Sequence, residues 1–194
     1  MDDKIIKTAR TLASKGVMPI IRVKIASGEA QIAASDTFAL FYTSSPISEL
    51  DAIYYIDAKT GERTKIADEN NFVAIDKIIK ETEEIAQDAP SITISKDELL
   101  TCAKMVKKLK MLNNPLHIKS RPNKKDVLIQ YGNGEIKSRM RLKNMAPNGR
   151  YFNFTVNTDY LIAALKDCAQ LAVIRYIGGR ISIGASWIIM PIRH

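Results

Sequence analysis

Apolar residues recur at helical spacing in three parts of the chain. The first helix is predicted over 4–13. Its apolar face carries Ile5, Ile6, Ala9, Leu12 and Ala13. Gly16 follows in the position that a C-terminal cap favours. A second helix begins after Ser95, a candidate N-cap with Glu98 three residues on, and a third begins near Asn157.

Between these helices, β-rich runs bounded by turn residues predict strands. In the first half they lie at 17–25, 30–34, 38–43, 51–57 and 62–66. In the second half they lie at 115–119, 127–131, 135–142, 150–156, 171–177, 180–184 and 186–193. The acid-rich segment 75–87 fits either a short helix or an irregular connector, and Pro90 follows it. It marks the predicted boundary between two domains, 1–88 and 89–194.

The two halves of the chain share a pattern. Residues 5–10 align with 99–104, and Pro19 aligns with Pro115, each proline heading a predicted strand. A period of about 95 residues is too long for a solenoid. The sequence therefore predicts an α+β fold made of two related domains, each with helices packed on antiparallel sheet.

The composition is that of an ordinary globular protein. Of 194 residues, 46% are hydrophobic and 26% are charged. No stretch approaches the roughly 18 apolar residues of a membrane span, and the polar start is not typical of a signal peptide. Cys102 and Cys168 lack metal-ligand spacing, so we expect reduced thiols, a cytoplasmic protein, no metal and no membrane partner.

Positive charge is concentrated in one part of the chain. The net charge is +8, and residues 96–150 hold 14 Lys and Arg against four acidic residues. Lysines on the predicted helix faces suit sequence-independent contact with phosphates, and no aromatic residues are interleaved to stack on single strands. Duplex DNA is the predicted ligand, with a plain solvated basic face as the alternative. The candidate contacts are Lys4, Lys7, Arg10, Lys104, Lys107, Lys108 and Lys166.

Residues that could carry catalysis are scattered. The sequence contains neither a P-loop nor a GxGxxG motif. His117 and His194 lie in predicted strands without carboxylate or cysteine partners, and the glutamates at 81, 83 and 84 fall in a solvated charge run. We therefore expect no catalytic site, no enzymatic activity and no cofactor.

The run 187–192 is strongly apolar, with a proline near its end. Pro191 lacks an amide donor, so this segment is predicted to follow a sheet edge or to leave the sheet there. Apolar runs usually serve the core. The alternative is that Met190 and Ile192 form one wall of a groove for a partner's peptide.

Three segments resemble the bacterial-type DNA sliding clamp, the beta subunit of replicative DNA polymerase. The run 187–194, WIIMPIRH, is similar to that family's terminal strand, in which Met-Pro-x-Arg follows an aromatic and two β-branched residues. Residues 154–165 resemble its FNxxYLxxAL strand-then-helix pattern. Residues 22–25 and 34–40 resemble its ATDxxxL strand pair.

The resemblance implies a replication processivity factor. In that family six domains close into a ring, helices line the hole and sheets lie outside. Basic helix faces would then meet duplex DNA. DNA polymerases and other clients dock a short apolar peptide in a groove between successive domains. Carried across to this chain, the groove positions are Ser35, Asp36, Phe38, Leu40, Ile189, Met190, Pro191, Ile192 and Arg193.

The chain departs from the family pattern in three ways. The first domain, 1–88, is abbreviated, because its second helix can be placed only if 75–87 supplies it. The family's usual three-domain chain forms a dimer, whereas two domains would need a homotrimer to supply six. Residues 37–39, Thr-Phe-Ala, replace the usual Gly-x-Arg and remove a basic group from the groove. The alternative function is therefore a clamp-like adaptor that forms no ring, or an inhibitor of replication proteins from a phage or mobile element.

Overall fold

The computed structural model describes residues 2–17, 19–64, 70–86, 88–112, 114–120, 124–132, 137–146 and 151–192, with the backbone alone at 70–73 and 137. The chain divides into two compact units, Met1–Glu84 and Ile85–His194. Both units combine helices with antiparallel strands, so the predicted α+β class is confirmed.

Unit 1 packs a helix on a five-stranded arrangement. Its elements are α1 (Asp3–Ala13), β1 (Ile20–Ala26), β2 (Glu29–Ser35), β3 (Ala39–Pro46), β4 (Ala52–Asp57), β5 (Arg63–Thr64) and α2 (Asn70–Ile85). The strand order is β5-β4-β1-β2-β3. Helix α1 buries Ala9, Leu12 and Ala13 and contacts β1, β2 and β3. The helical periodicity of the sequence thus identifies the face that packs.

Unit 2 places two helices on two groups of strands. Its elements are β6 (Ser91–Ser95), α3 (Lys96–Lys108), β7 (Pro115–Ser120), β8 (Asp126–Gly132), β9 (Lys137–Lys143), β10 (Phe152–Asn157), α4 (Thr158–Asp167), β11 (Leu171–Ile177), β12 (Arg180–Ile183) and β13 (Trp187–Ile189). The strand orders are β10-β7-β8-β9 and β13-β12-β11-β6. Helices α3 and α4 contact each other, and between them they contact β7, β8 and β10.

The core of unit 2 lies between these helices and the sheet β10-β7-β8-β9. Helix α3 buries Leu99, Cys102, Ala103 and Val106. The facing sheet residues are also fully buried; they include Leu116, Ile118, Val127 and Ile129. Burying each Leu or Ile side chain stabilises the fold by about 1.5–3 kcal/mol. The helix and the sheet therefore hold each other in a fixed orientation within this unit.

The strand topology repeats between the units. In unit 1 a helix, α1, precedes the meander β1-β2-β3, and β4 returns to pair with β1. In unit 2 α3 precedes the meander β7-β8-β9, and β10 returns to pair with β7. A second helix follows each returning strand. The alignment of 5–10 with 99–104 therefore matches two equivalent helices.

Several boundaries differ from the sequence-based predictions. Of the two interpretations of 75–87, the helix is confirmed over 75–85, but it is longer than predicted, because α2 begins at Asn70 and runs to Ile85. Strand β1 begins at Ile20, not at Val17, whose side chain is 95% exposed. Strand β13 ends at Ile189, before Pro191. A proline has no amide hydrogen for the ladder, which accounts for this early end.

Gly16 has a different role from the predicted helix cap. Helix α1 ends at Ala13 with Ser14 as its C-cap, and Gly16 lacks the positive φ of a glycine cap. A Cβ at Gly16 would lie 2.9 Å from Asp36 Cα and 3.0 Å from the Ser35 carbonyl oxygen. Glycine is therefore needed for the close approach between the end of α1 and the turn after β2.

An ion pair connects α2 to β1. The Arg22 guanidinium is almost completely buried and donates to Asp76 through Nη1, 2.7 Å from Oδ2, and also through Nη2 to Oδ1. Such a two-pronged contact fixes geometry as well as charge.

Replacing Asp76 by Ala should destabilise the protein, because the guanidinium of Arg22 stays buried after losing two acceptors. We expect the free energy of unfolding in urea to fall by about 1–3 kcal/mol. The control is Lys77→Ala, whose exposed ammonium lies 3.9 Å from Glu81 Oε1, and whose loss should cost less than about 0.5 kcal/mol. Equal effects of the two substitutions would contradict the structural role of the Arg22–Asp76 pair.

Candidate functional site

The predicted lysine face of α3 is exposed in the structure. Lys104, Lys107 and Lys108 all lie on the solvent side of the helix. The helix starts as the sequence predicts, with Ser95 Oγ accepting a hydrogen bond from the Glu98 amide at 3.4 Å. The apolar stripe of α3 faces the sheet, so these lysines point away from it.

Lys107 is partly neutralised within the unit. Its Nζ lies 2.7 Å from Asp159 Oδ1, in the first turn of α4. A partly exposed pair of this kind contributes little to stability, but it places a negative charge beside the lysine. Lys104 and Lys108 therefore provide the stronger positive field on this helix. Lys166, near the end of α4, is exposed as well.

On α1, Lys4 and Lys7 are exposed, but Arg10 makes internal contacts. Its Nε donates to the Ala58 carbonyl and its Nη2 to the Lys59 carbonyl, each at 3.0 Å. These carbonyls belong to the turn between β4 and β5. Arg10 was predicted to contact DNA; in the structure its side chain connects α1 to this turn, and its contact with DNA stays a prediction.

The same turn is organised by Asp57. Its Oδ1 accepts hydrogen bonds from the amides of Lys59 and Thr60, at 2.7 and 2.8 Å. These two backbone hydrogen bonds lower the pKa of the Asp57 carboxyl group, and the one from Thr60 has the larger effect. The carboxylate form is therefore the one that holds the turn and the carbonyls to which Arg10 donates.

Ser35 and Asp36 build a tight turn between β2 and β3. Asp36 Oδ1 accepts from the amides of Phe38 and Ala39, at 3.1 and 2.9 Å. Ser35 Oγ donates to the Ala39 carbonyl at 3.0 Å. Thr37 has a φ of 86°, which is costly for a β-branched residue. This is the position where the resembled family usually has glycine.

The turn presents an aromatic ring to solvent. The Phe38 side chain is 60% exposed, whereas Asp36 and Leu40 are buried. Of the four groove positions predicted in unit 1, Phe38 is thus the one whose side chain is openly accessible. Leu40 was predicted to line a peptide groove. In the structure its side chain is buried and packs in the core.

In unit 2 the predicted groove positions also separate into buried and exposed residues. Ile189 is fully buried and pairs with Ile181 across β12 and β13. Met190 is 38% exposed, and Pro191 and Ile192 are half-buried. The Ile192 amide donates to the Thr155 carbonyl at 2.8 Å. Arg193 and His194 lie outside the described residues.

The thiols and the described histidine are in settings that favour structure over reactivity. Burial raises the pKa of both Cys102 and Cys168. Cys102 Sγ lies 3.1 Å from Met140 Sδ, and His117 Nδ1 lies 3.0 Å from Thr155 Oγ1. Within the described ranges, no group of three His, Cys, Asp or Glu side chains could hold a metal ion. In the same part of the chain, none of the helices combines the length and apolar character of a membrane span.

Sequence reasoning missed a second basic surface. The side chains of Arg139, Arg141 and Lys143 are exposed on one face of β9, whereas Leu142 between them is buried. The signal was present in the alternation of KSRMRLK over 137–143. The basic residues of 96–150 were instead assigned to helix α3.

The fold matches solved DNA polymerase sliding clamps over nearly the whole chain. The sliding clamp of Bacillus subtilis superposes with a TM-score of 0.77 at 14% identity, covering 99% of this chain and 63% of the clamp. The DNA polymerase III beta chain of Streptococcus pneumoniae gives 0.74 at 12% identity, covering 100% and 64%. That of Thermotoga maritima gives 0.69 at 11%, covering 98% and 64%.

The clamp resemblance of the sequence is confirmed at the level of the fold. This chain spans less than two thirds of the length of these clamps. Comparison of the sequence with protein-family models gives no match, and neither does comparison with curated proteins.

The Ser35–Asp36 turn can be tested by two substitutions at one position. Asp36→Ala removes the acceptor of two amides in a buried setting, so we expect a loss of about 1–3 kcal/mol in the free energy of unfolding. Asp36→Asn keeps an Oδ1 acceptor and should cost clearly less. Denaturation in urea measures both, and an equal cost would show that the turn does not depend on these hydrogen bonds.

Proposed function

We propose that this protein is a DNA sliding clamp, a replication processivity factor that encircles duplex DNA without chemistry of its own. The observation that supports it most is the clamp fold, which extends over 98–100% of the chain in the comparisons above. The contacts with DNA would come from the exposed lysines of α1, α3 and α4. These contacts neutralise phosphates and carry no sequence information.

A closed ring needs several copies of this chain. If each chain contributes two of six domains, the assembly is a homotrimer. The match covers 63% of the Bacillus subtilis clamp, so this chain is the shorter of the two. The shorter length favours a second candidate, an adaptor with the clamp fold that forms no ring. Light scattering at micromolar concentrations separates the two, because a trimer supports the ring and a persistent monomer supports the adaptor.

The lysines of α3 can be tested by the triple substitution K104E/K107E/K108E. We expect it to lower retention on circular duplex DNA and to reduce the slope of log affinity against log salt by about 0.9 for each phosphate that the variant no longer neutralises. Lys107→Glu alone should have the smallest effect, because Lys107 already faces Asp159.

The matched control for this triple variant reverses three charges on the other face of the same unit, as R139E/R141E/K143E. It should leave retention on the circle unchanged. Wild-type retention by the α3 variant would rule out the lysine face as the duplex contact, whatever the oligomeric state.

Client binding is the second part of the proposal. Phe38 in unit 1 and Met190 in unit 2 are exposed apolar side chains at positions that the clamp resemblance assigns to clients. We propose that each contacts a short apolar peptide of a DNA polymerase. Pro191 and Ile192 would contribute from the same segment as Met190.

The substitution M190A/P191A should abolish binding of a fluorescent peptide that carries the clamp-binding segment of a DNA polymerase. The fold should persist, since β13 and the Ile192 amide contact lie outside the altered atoms. Leu112→Ala, which truncates another exposed apolar side chain of unit 2, is the control and should bind normally. Unfolding of M190A/P191A in thermal melts would instead assign this segment to the core.

A further inference from the structure

The sheet β10-β7-β8-β9 has one face buried by helices, and its other face is open along β9. Strand β9 shows the division: Met140 meets Cys102 of α3 and Leu142 is buried, whereas Arg139, Arg141 and Lys143 alternate with them and are exposed. Side chains two residues apart on a strand are about 6.8 Å apart. The three cations therefore form an evenly spaced row that points away from α3.

Neighbouring strands widen this row into a surface. Lys119 of β7 is level with Leu128 of β8, and Leu128 is level with Arg141 of β9. Together with Lys124 and Asp126 they line a shallow depression of about 280 Å³. Five cations make up this basic sheet face: Lys119, Lys124, Arg139, Arg141 and Lys143.

The basic sheet face carries an excess of positive charge. Among the described residues that line it, the acidic one is Asp126, whose Oδ2 lies 3.6 Å from Arg141 Nε. Both partners are substantially exposed, so this pair is weak and can open to admit another anion. The excess cannot be balanced within the surface, which makes a polyanion its complementary partner.

An exposed aromatic ring borders the cations. Tyr151, immediately before β10, is 51% exposed, and Lys119 Nζ lies 5.9 Å from the centroid of its ring. The β10–β7 register pairs Phe152 with Ser120 on the buried face of the sheet. Tyr151, one residue before Phe152, therefore lies on the opposite face, the same face as Lys119. An aromatic face beside cations is the arrangement that proteins use to stack an unpaired base while neutralising its phosphate.

We propose that the basic sheet face binds single-stranded DNA. An acidic peptide fits it less well, because the surface is open and its apolar contribution is limited to the half-buried Leu128. Duplex DNA would leave Tyr151 without a base to stack on. The guanidinium groups of Arg139 and Arg141 can each donate two hydrogen bonds to one phosphate. The choice of DNA over RNA rests on the proposed function above; the choice of a single strand rests on this surface alone.

The test compares three labelled probes by fluorescence anisotropy: oligothymidylate of about 20 nucleotides, which exceeds one typical binding site, the corresponding duplex, and oligouridylate. We expect R139E/R141E/K143E to bind oligothymidylate at least about tenfold more weakly than wild type, with the salt slope reduced by about 2. Tyr151→Ala should weaken binding by about fivefold or more without changing that slope. The matched variant K104E/K107E/K108E should bind oligothymidylate as wild type does.

Several results would overturn the inference. One is that R139E/R141E/K143E binds oligothymidylate as tightly as wild type, and another is that K104E/K107E/K108E loses as much affinity for it. The inference would also fail if oligouridylate or the duplex bound this face more tightly than oligothymidylate, or if polyglutamate at equal charge displaced the probe. If the charge reversal prevents folding in thermal melts, R139Q/R141Q/K143Q replaces it. Retention on circular duplex DNA is measured in parallel, so loss of the proposed clamp function and loss of single-strand binding are seen separately.

Discussion

The structure of unit 2 depends on the burial of one apolar stripe of α3 against the sheet β10-β7-β8-β9. Leu99, Cys102, Ala103 and Val106 fill this contact from the helix side. Because a helix and a strand each have a polar side opposite the buried one, this packing determines the direction of every charged residue on both elements. The lysines of α3 must point one way and the cations of β9 the other.

The features that the sequence predicted well are those whose signals lie close together in the chain. Helix α3 was predicted with its cap because its signals are local: Ser95 precedes the helix, and the apolar residues that follow have helical spacing. The repeat of a helix followed by antiparallel strands was likewise indicated by short-range patterns. Strand β13 was predicted too long, since the apolar run continues past Ile189 although Pro191 cannot extend the ladder.

The features that the sequence could not predict join residues far apart in the chain. Lys107 meets Asp159 and Arg10 meets the carbonyls of Ala58 and Lys59 only after the units fold. The first contact offsets a positive charge and the second occupies the donors of a guanidinium, so counting basic residues overestimates the number of cations that are open to a ligand. Gly16 was misassigned for the same reason, because its importance lies in its distance from Asp36.

Two basic surfaces on one unit can act independently because of how they are separated. Helix α3 is about 10–12 Å across with its side chains, and the sheet lies beyond it. This distance exceeds the Debye length of about 8 Å at physiological ionic strength, so exposed charges on the two sides are largely screened from each other by solvent. An anion placed beside Lys104 would therefore have little effect on one placed beside Arg139. The buried stripe of α3 keeps the two cation sets apart, so the two proposed nucleic-acid contacts do not compete for the same charges.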